Sequence, residues 1–390
     1  MRQGWHGSAF LESGENLKPL VKMRFGREPS SSTTREIIAC LQQGRLFYEA
    51  ASASPLEIRP LQQFYGMVGF SKALVLAHNC GRLANLPQKH GLKDVSEGNC
   101  RIPDLQVGIL SAGTFQEFND VAAKLTRLCY IDESTTSRSV SIPSAKSETL
   151  SDVKFSLREI LGHIPGLATI YRMTFGEDAD TEDISLSAPT SEGHFQLRVD
   201  IAEYFDDKES LGKIVARFRE RFPFFKAWRF HSAQRAWNRS SIIFRNVRNV
   251  DTDEFSGRRV HPQERGFYGV DLPGDDLSPV SLQESLPGIG SGYPDSGHIM
   301  GPIINGNYVS EFSFHYLGLF LLSSLVRYRP ETWTHAISHS VWEDKQADDQ
   351  ALSIIGRFLD LNESAFPELI VKVLNPREDE YYRTNKTESL

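Results

Sequence analysis

Between positions 213 and 248 the chain places ten cations, Lys213, Arg217, Arg219, Arg221, Lys226, Arg229, Arg235, Arg239, Arg245 and Arg248, against a single acid, Glu220. The formal charge of the whole protein is -7, so this excess is local. Phe218, Phe222, Phe224, Phe225, Trp228, Phe230, Trp237 and Phe244 are interleaved with the cations. Guanidinium groups neutralise phosphates and aromatic faces stack on bases, so the mixture suits a single-stranded nucleic acid, RNA above all. The alternative is a set of surface arginines paired with acids from elsewhere in the chain. Lys213, Arg217 and Arg221 recur every four residues and are expected on one helix face.

A second group of bases lies at the two ends of the chain. Lys72 sits among Met67, Val68, Phe70, Ala73, Leu74 and Val75, and an unpaired ammonium in such surroundings needs a carboxylate, water or a bound anion. Glu49 and Glu57 are the acids in reach by sequence. Arg327 and Arg329 end an apolar run, where the helix dipole favours cations by about 0.3–1 kcal/mol. If the terminal segments pack together, Lys72, His90, Arg327 and Arg329 form a cationic cleft for an anion.

Histidine beside arginine supports acid–base chemistry on a phosphodiester, the imidazole moving the proton and the guanidinium holding the charged phosphate. Arg158 with His163, and more loosely Arg329 with His335, carry a spacing that resembles the HEPN-type ribonucleases. That resemblance implies RNA cleavage without a metal. Other signatures are missing: no Gly-Lys-Ser/Thr phosphate loop, no Gly-x-Ser-x-Gly elbow and no His-Glu-x-x-His. Cys40, Cys80, Cys100 and Cys129 are scattered, without a Cys-x-x-Cys pair, so no metal centre and no cofactor is expected. Asp275 and Asp276, and the acids at 178, 180, 182 and 183, are expected to be solvated loops.

The elements that must position these residues follow from periodicity and punctuation. Thr33 with Glu36 has the form of a capping box opening a helix to about 51, Pro60 opens a second that runs to about 79, and the short connection between them predicts an antiparallel hairpin. The Ser- and Thr-rich stretch 131–148 reads as a linker. Strand-like alternation at 184–186, 195–201, 227–230 and 240–247 surrounds a helix at 209–222. Six glycines between 288 and 306 mark a long loop, after which helical spacing returns at 310–327, 331–342, 346–361 and 364–374.

Two blocks of residues resemble the YaaC-like family of bacterial proteins. The first comprises RLFYEAA at 45–51, Arg59–Pro60, FYGMVGFSKAL at 64–74 and HGL at 90–92. The second comprises GPIING at 301–306 and LFLLSSLVRYRPETW at 319–333. Phe70 and Ser71 stand where the family usually has Leu and Ala, and Phe64 stands for a tyrosine. The resemblance implies a shared architecture and carries no chemistry.

At 390 residues, with 40% hydrophobic and 24% charged residues, the chain is long enough for more than one packed unit. The expectation is an α+β protein: a mainly helical region at 1–166, a mixed α/β basic insertion at 167–270, a Gly/Pro-rich loop at 271–308, a helical region at 309–376 packed on the N-terminal helices, and a polar tail at 377–390. No apolar run approaches the roughly 20 residues that span a bilayer and no secretory signal opens the chain, so the expected location is the cytoplasm. The expected role is nucleic-acid binding, with a metal-independent ribonuclease, or a scaffold docking a protein partner through 222–228, as alternatives.

Overall fold

The structure, a computed structural model, describes residues 4–375 apart from 99, 126, 132–136, 142–143, 187–193, 202, 204, 236–239, 249–259, 264–266, 271–288, 294–295, 302–307 and 338–348. In chain order its helices are α1 (Gly4–Leu11), α2 (Gly14–Phe25), α3 (Ser31–Ser52), α4 (Arg59–Asn79), α5 (Thr114–Leu125), α6 (Ser147–Leu150), α7 (Leu157–Gly162), α8 (Ala168–Phe175), α9 (Lys208–Arg221), α10 (Glu311–Tyr328), α11 (Pro330–Ile337) and α12 (Asp349–Leu374). The strands are β1 (Leu92–Asp94), β2 (Gln106–Ile109), β3 (Arg127–Ile131), β4 (Ser137–Ser141), β5 (Lys154–Ser156), β6 (Thr181–Leu186), β7 (Gln196–Ile201), β8 (Trp228–Arg235), β9 (Ser240–Arg248), β10 (Val260–Gln263), β11 (Phe267–Val270), β12 (Ile289–Tyr293) and β13 (Ser296–Met300). They form two units: Met1–Leu125, Ala145–Ala179 and Val309–Leu390 make the first, Thr126–Ser144 and Asp180–Tyr308 the second.

The first unit is a helical body built from both ends of the chain. Helix α3 begins earlier than its Thr33/Glu36 pattern predicts, because the Ser30 hydroxyl accepts the Thr33 N–H at 3.1 Å and serves as the cap. Glu36 instead accepts from Arg82 and from the Leu83 N–H, both at 2.7 Å, and clamps the turn after α4. Pro60 lies in the first turn of α4, where a missing N–H costs nothing. The two helices meet backbone to backbone: a Cβ on Gly69 would stand 2.9 Å from the Gly44 nitrogen and 3.0 Å from the Cys40 carbonyl oxygen. Gly44 is therefore in mid-helix for the sake of the crossing, despite its poor helix propensity.

Helix α10 packs on α4, α5, α7 and α12 with residues 311–325 all buried, as expected of a helix that is apolar around its circumference. A buried polar link crosses this core. The Tyr48 hydroxyl donates to Asn362 at 2.7 Å, and Asn362 Nδ2 lies 3.2 Å from His315 Nδ1, tying α3, α12 and α10 together. Helix α12 continues through 361–364, where two helices were expected, because the buried stripe of Phe358, Leu359, Phe366 and Ile370 keeps helical spacing across that point. The antiparallel β1–β2–β5 sheet completes this unit.

The second unit is mixed α/β. Its antiparallel sheet has the order β10-β11-β8-β9-β7-β6-β13-β12, with the β3–β4 hairpin beside β12. Helix α9 lays Leu211, Ile214, Val215 and Phe218 into a core shared with Leu197, Val199, Phe230 and Phe244. Three boundaries differ from the sequence reading. After its 126–144 segment the unit resumes at Asp180 rather than 167, because α8 packs on α12. Strands β3 and β4 occupy part of the expected linker at 131–148, and β12 and β13 part of the expected loop at 271–308: glycine-rich and serine-rich segments hide their strand character until pairing supplies it. The tail at 377–390 lies outside the described residues. Among the described residues no helix is long and apolar enough to cross a membrane.

Candidate anion-binding site

The site lies in the helical body and is built around the Phe64 ring of α4. Phe64 is fully buried and meets Tyr316 and Phe320 of α10 with ring centroids 5.9 and 6.0 Å apart. The imidazole of His90 stands edge-on to Phe64 at 5.2 Å and near Phe320 at 6.4 Å. The Arg327 guanidinium lies 5.8 Å from the Phe64 centroid and 4.9 Å from that of its neighbour Tyr328, within cation–π range of both.

The backbone fixes His90. The first turn of α5 donates its Thr114 and Phe115 N–H groups to the Lys89 and His90 carbonyls at 2.9 and 3.0 Å. Gly91 follows with φ +78°, and a Cβ there would meet the Gly113 Cα at 2.9 Å, so the segment is pressed against the α5 entry loop in a way only glycine allows. Gln116 donates to the Gly91 and Leu110 carbonyls and holds the two loops together. Arg327 is fixed by its own helix: Nε donates to the Ser323 carbonyl at 3.2 Å, one turn earlier on α10.

Lys72 lies two turns beyond Phe64 on α4 and is half-buried. Among the described residues it has no hydrogen bond or ion pair, so the pairing with Glu49 or Glu57 does not form. Glu49 takes Arg45 at 2.8 Å instead. Burial first, then Arg327, then Lys72, hold the His90 imidazole below its ordinary range. The Cys40 thiol beneath the crossing is pushed up to about 11 by burial, with Lys72 opposing. His90, Arg327 and Lys72 therefore share one electrostatic neighbourhood. The nearby carboxylates are engaged elsewhere: Asp94 with Ser324, Ser96 and Arg329, and Glu36 with Arg82.

Arg329, expected in the same cleft, points away from it. Its guanidinium donates to the Ser96, Glu97 and Gly98 carbonyls at 3.2, 2.9 and 3.4 Å and lies 3.6 Å from Asp94. It ties the loop after β1 to the end of α10. The expected acid–base pair is also dispersed into structure. His163 is 6% exposed, caps the six-residue α7, bonds the Glu159 carbonyl through Nδ1 at 2.7 Å and stacks on Phe314 at 4.8 Å. Arg158 pairs with Glu177 at 2.6 Å and lies over Phe175, and His335 is an exposed residue of α11.

Three of the ten cations in the basic segment of the second unit pair with acids outside it. Lys213 pairs with Glu209, Arg217 with Glu203, and Arg221 with Glu182 at 3.0 Å, the last only 20% exposed. Arg219 donates to the Trp228 and Phe225 carbonyls. Arg229 is 1% exposed and stands opposite Arg245, which in turn faces Gln196, the amide oxygen accepting at 2.8 Å. Lys226 is exposed in the turn before β8, Arg235 and Arg248 are strand residues, and Arg239 lies outside the described residues. Of the aromatics expected to stack on bases, or to dock a protein, Phe218, Phe222, Phe224, Phe225, Trp228, Phe230 and Phe244 are core, and Trp237 lies outside the described residues. What sequence reasoning missed at the candidate site is the aromatic floor of Phe64 and Phe320, and the paired Gly91 and Gly113 that seat His90. The HGL block was the one signal pointing there.

Among the described residues no group of three or more His, Cys, Asp or Glu is placed to hold a metal ion. Comparison with curated proteins and with solved structures finds no match. Residues 15–374 match the family described as YaaC-like protein, a span that takes in both units and every residue of the Phe64 site. The chain belongs to the YaaC-like protein family.

Proposed function

We propose that this protein works by binding a phosphate-bearing ligand at Lys72, His90 and Arg327. One observation carries the reading: three basic side chains are gathered in a half-buried place with no carboxylate paired to any of them among the described residues. Like charges so placed repel one another and cost stability unless an anion neutralises them, and protein folds usually supply that anion as a side chain. Arg327 offers guanidinium N–H donors in a planar fork, Lys72 a point charge, and the aromatic floor keeps the neighbourhood low in dielectric, which strengthens both.

A free nucleotide, a small phosphorylated metabolite and the phosphorylated end of a nucleic-acid strand all present this chemistry. The nucleic-acid reading therefore moves from the 213–248 segment to a strand terminus. The test is titration calorimetry with inorganic phosphate, adenosine monophosphate, and a short RNA carrying either a 5′-phosphate or a 5′-hydroxyl. Binding is expected to weaken with salt and to be lost in the Lys72→Met, Arg327→Met double variant. Equal binding by the folded double variant removes the proposal; a preference for the 5′-phosphorylated RNA over the mononucleotide assigns the strand end.

A further inference from the structure

Resting on that reading, we infer that the site is specific for a phosphomonoester dianion and that His90 takes up a proton as the ligand arrives. The geometry makes His90 the variable member of the three. Lysine and arginine side chains ordinarily carry their charge throughout the physiological range, whereas an imidazole changes charge within it. The Phe115 N–H fixes the backbone that carries the ring, and the ring packs edge-on against Phe64 and Phe320.

Three influences act on the ring in the unliganded protein, and all favour the neutral form: burial, Arg327 of α10 and Lys72 of α4. The backbone of α5 contributes N–H groups to the adjoining carbonyls; of its acids, Asp120 accepts the Ser147 N–H, and neither it nor Glu117 is among the groups that act on the ring. Asp94 of β1 and Glu36 of α3, the acids on neighbouring elements, are held by Arg329 and Arg82. A dianion reverses the balance. Its two negative charges offset Lys72 and Arg327, and a protonated imidazole then gains a charge-assisted N–H bond to a terminal phosphate oxygen.

The proton balance is simple. Neutral His90, one proton from the buffer and the dianion give the imidazolium–phosphate complex, with no bond made or broken in the ligand. A phosphodiester has one charge and fewer terminal oxygens, so it compensates the two fixed cations only in part and gives His90 little reason to protonate. Affinity for a monoester then has a maximum in pH. It falls at high pH as the bound imidazolium loses its proton, and below about 6 as the ligand itself becomes a monoanion.

The experiment compares phenyl phosphate with methyl phenyl phosphate by calorimetry at pH 7, each in two buffers of different ionisation enthalpy. The wild-type protein should bind the monoester at least about tenfold more tightly, with net proton uptake, and His90→Gln should bind it without uptake. The His90 ring proton of the wild type, followed by NMR with and without inorganic phosphate, gives the same answer where the variant folds poorly: its titration should move to higher pH when phosphate is present. Monoester and diester bound alike, with no uptake and no movement of that titration, overturns the inference while leaving the site intact. Failure of both compounds to bind overturns the site as well.

Discussion

Acidification should destabilise the helical body through one histidine. His315 is 3% exposed on α10, stacked on Phe358 at 5.4 Å and bonded through Nδ1 to Asn362, so its neutral form is built into the core. Burial pulls its pKa from the ordinary 6.5 to about 4, against a smaller upward pull from Glu311. The folded-state value is the lower one, so the unfolded chain binds the proton first as pH falls. The contribution is therefore complete above pH 6.5 and is lost progressively as pH falls toward about 4. The loss amounts to about 2 kcal/mol by pH 5 and about 3 kcal/mol by pH 4, from 1.36 kcal/mol per tenfold change in protonation. Against a total of about 5–15 kcal/mol for a folded unit this is a large fraction. Urea denaturation of the wild type and of His315→Gln at pH 7, 5 and 4 isolates the effect, since the carboxylates and every other histidine titrate alike in both. The wild type should lose about 3 kcal/mol more than the variant across that range. Parallel pH dependences would show that the imidazole reaches water in the folded state and that the Tyr48–Asn362–His315 link is not the closed one described above.

Two further outcomes test the packing around the site. Gly69→Ala should destabilise by about 1–2 kcal/mol despite alanine's better helix propensity, because the added methyl meets the backbone of Gly44 and Cys40, which cannot yield, whereas Gly356→Ala on α12, with nothing within 4 Å, should stabilise by up to about 1 kcal/mol; thermal denaturation of the pair reads both signs at once. Arg329→Met should speed amide exchange in 96–100 and leave phosphate binding unchanged, since this arginine serves carbonyls and not the Phe64 site; loss of binding in that variant would contradict the separation of Arg327 from Arg329.

The fold was legible where the sequence signal is local. Pro60, the apolar run at 311–325 and the strand alternation of β7 each state their structure in a few consecutive residues. It was illegible where pairing does the work. The glycines of β12 and β13 read as loop because they have no side chains to alternate, and the serines of β4 read as linker for want of apolar partners. The short α1 and α2 carry little amphipathic contrast and went unread. At the candidate site, Lys72, His90 and Arg327 could be named from residue type, but nothing in the sequence distinguished Arg327 from Arg329. That difference is set by rotation around the last turn of α10, which points one guanidinium at Phe64 and the other at the carbonyls of 96–98.

The two basic clusters show why counting charges along a chain misleads in both directions. The 213–248 segment has ten cations in sequence, yet Glu182, Glu203 and Glu209 reach its helix from outside that window, and its arginines also spend donors on backbone carbonyls such as those of Phe225 and Trp228. The Lys72 site shows no excess in any window, since its members are drawn from positions 72, 90 and 327. It emerges only when α4, the segment before β1 and α10 pack together. What governs anion binding is the charge left uncompensated at one place in space, and desolvation by Phe64 and Phe320 makes each uncompensated charge there count for more than an exposed pair such as Lys213 with Glu209, which water and salt screen.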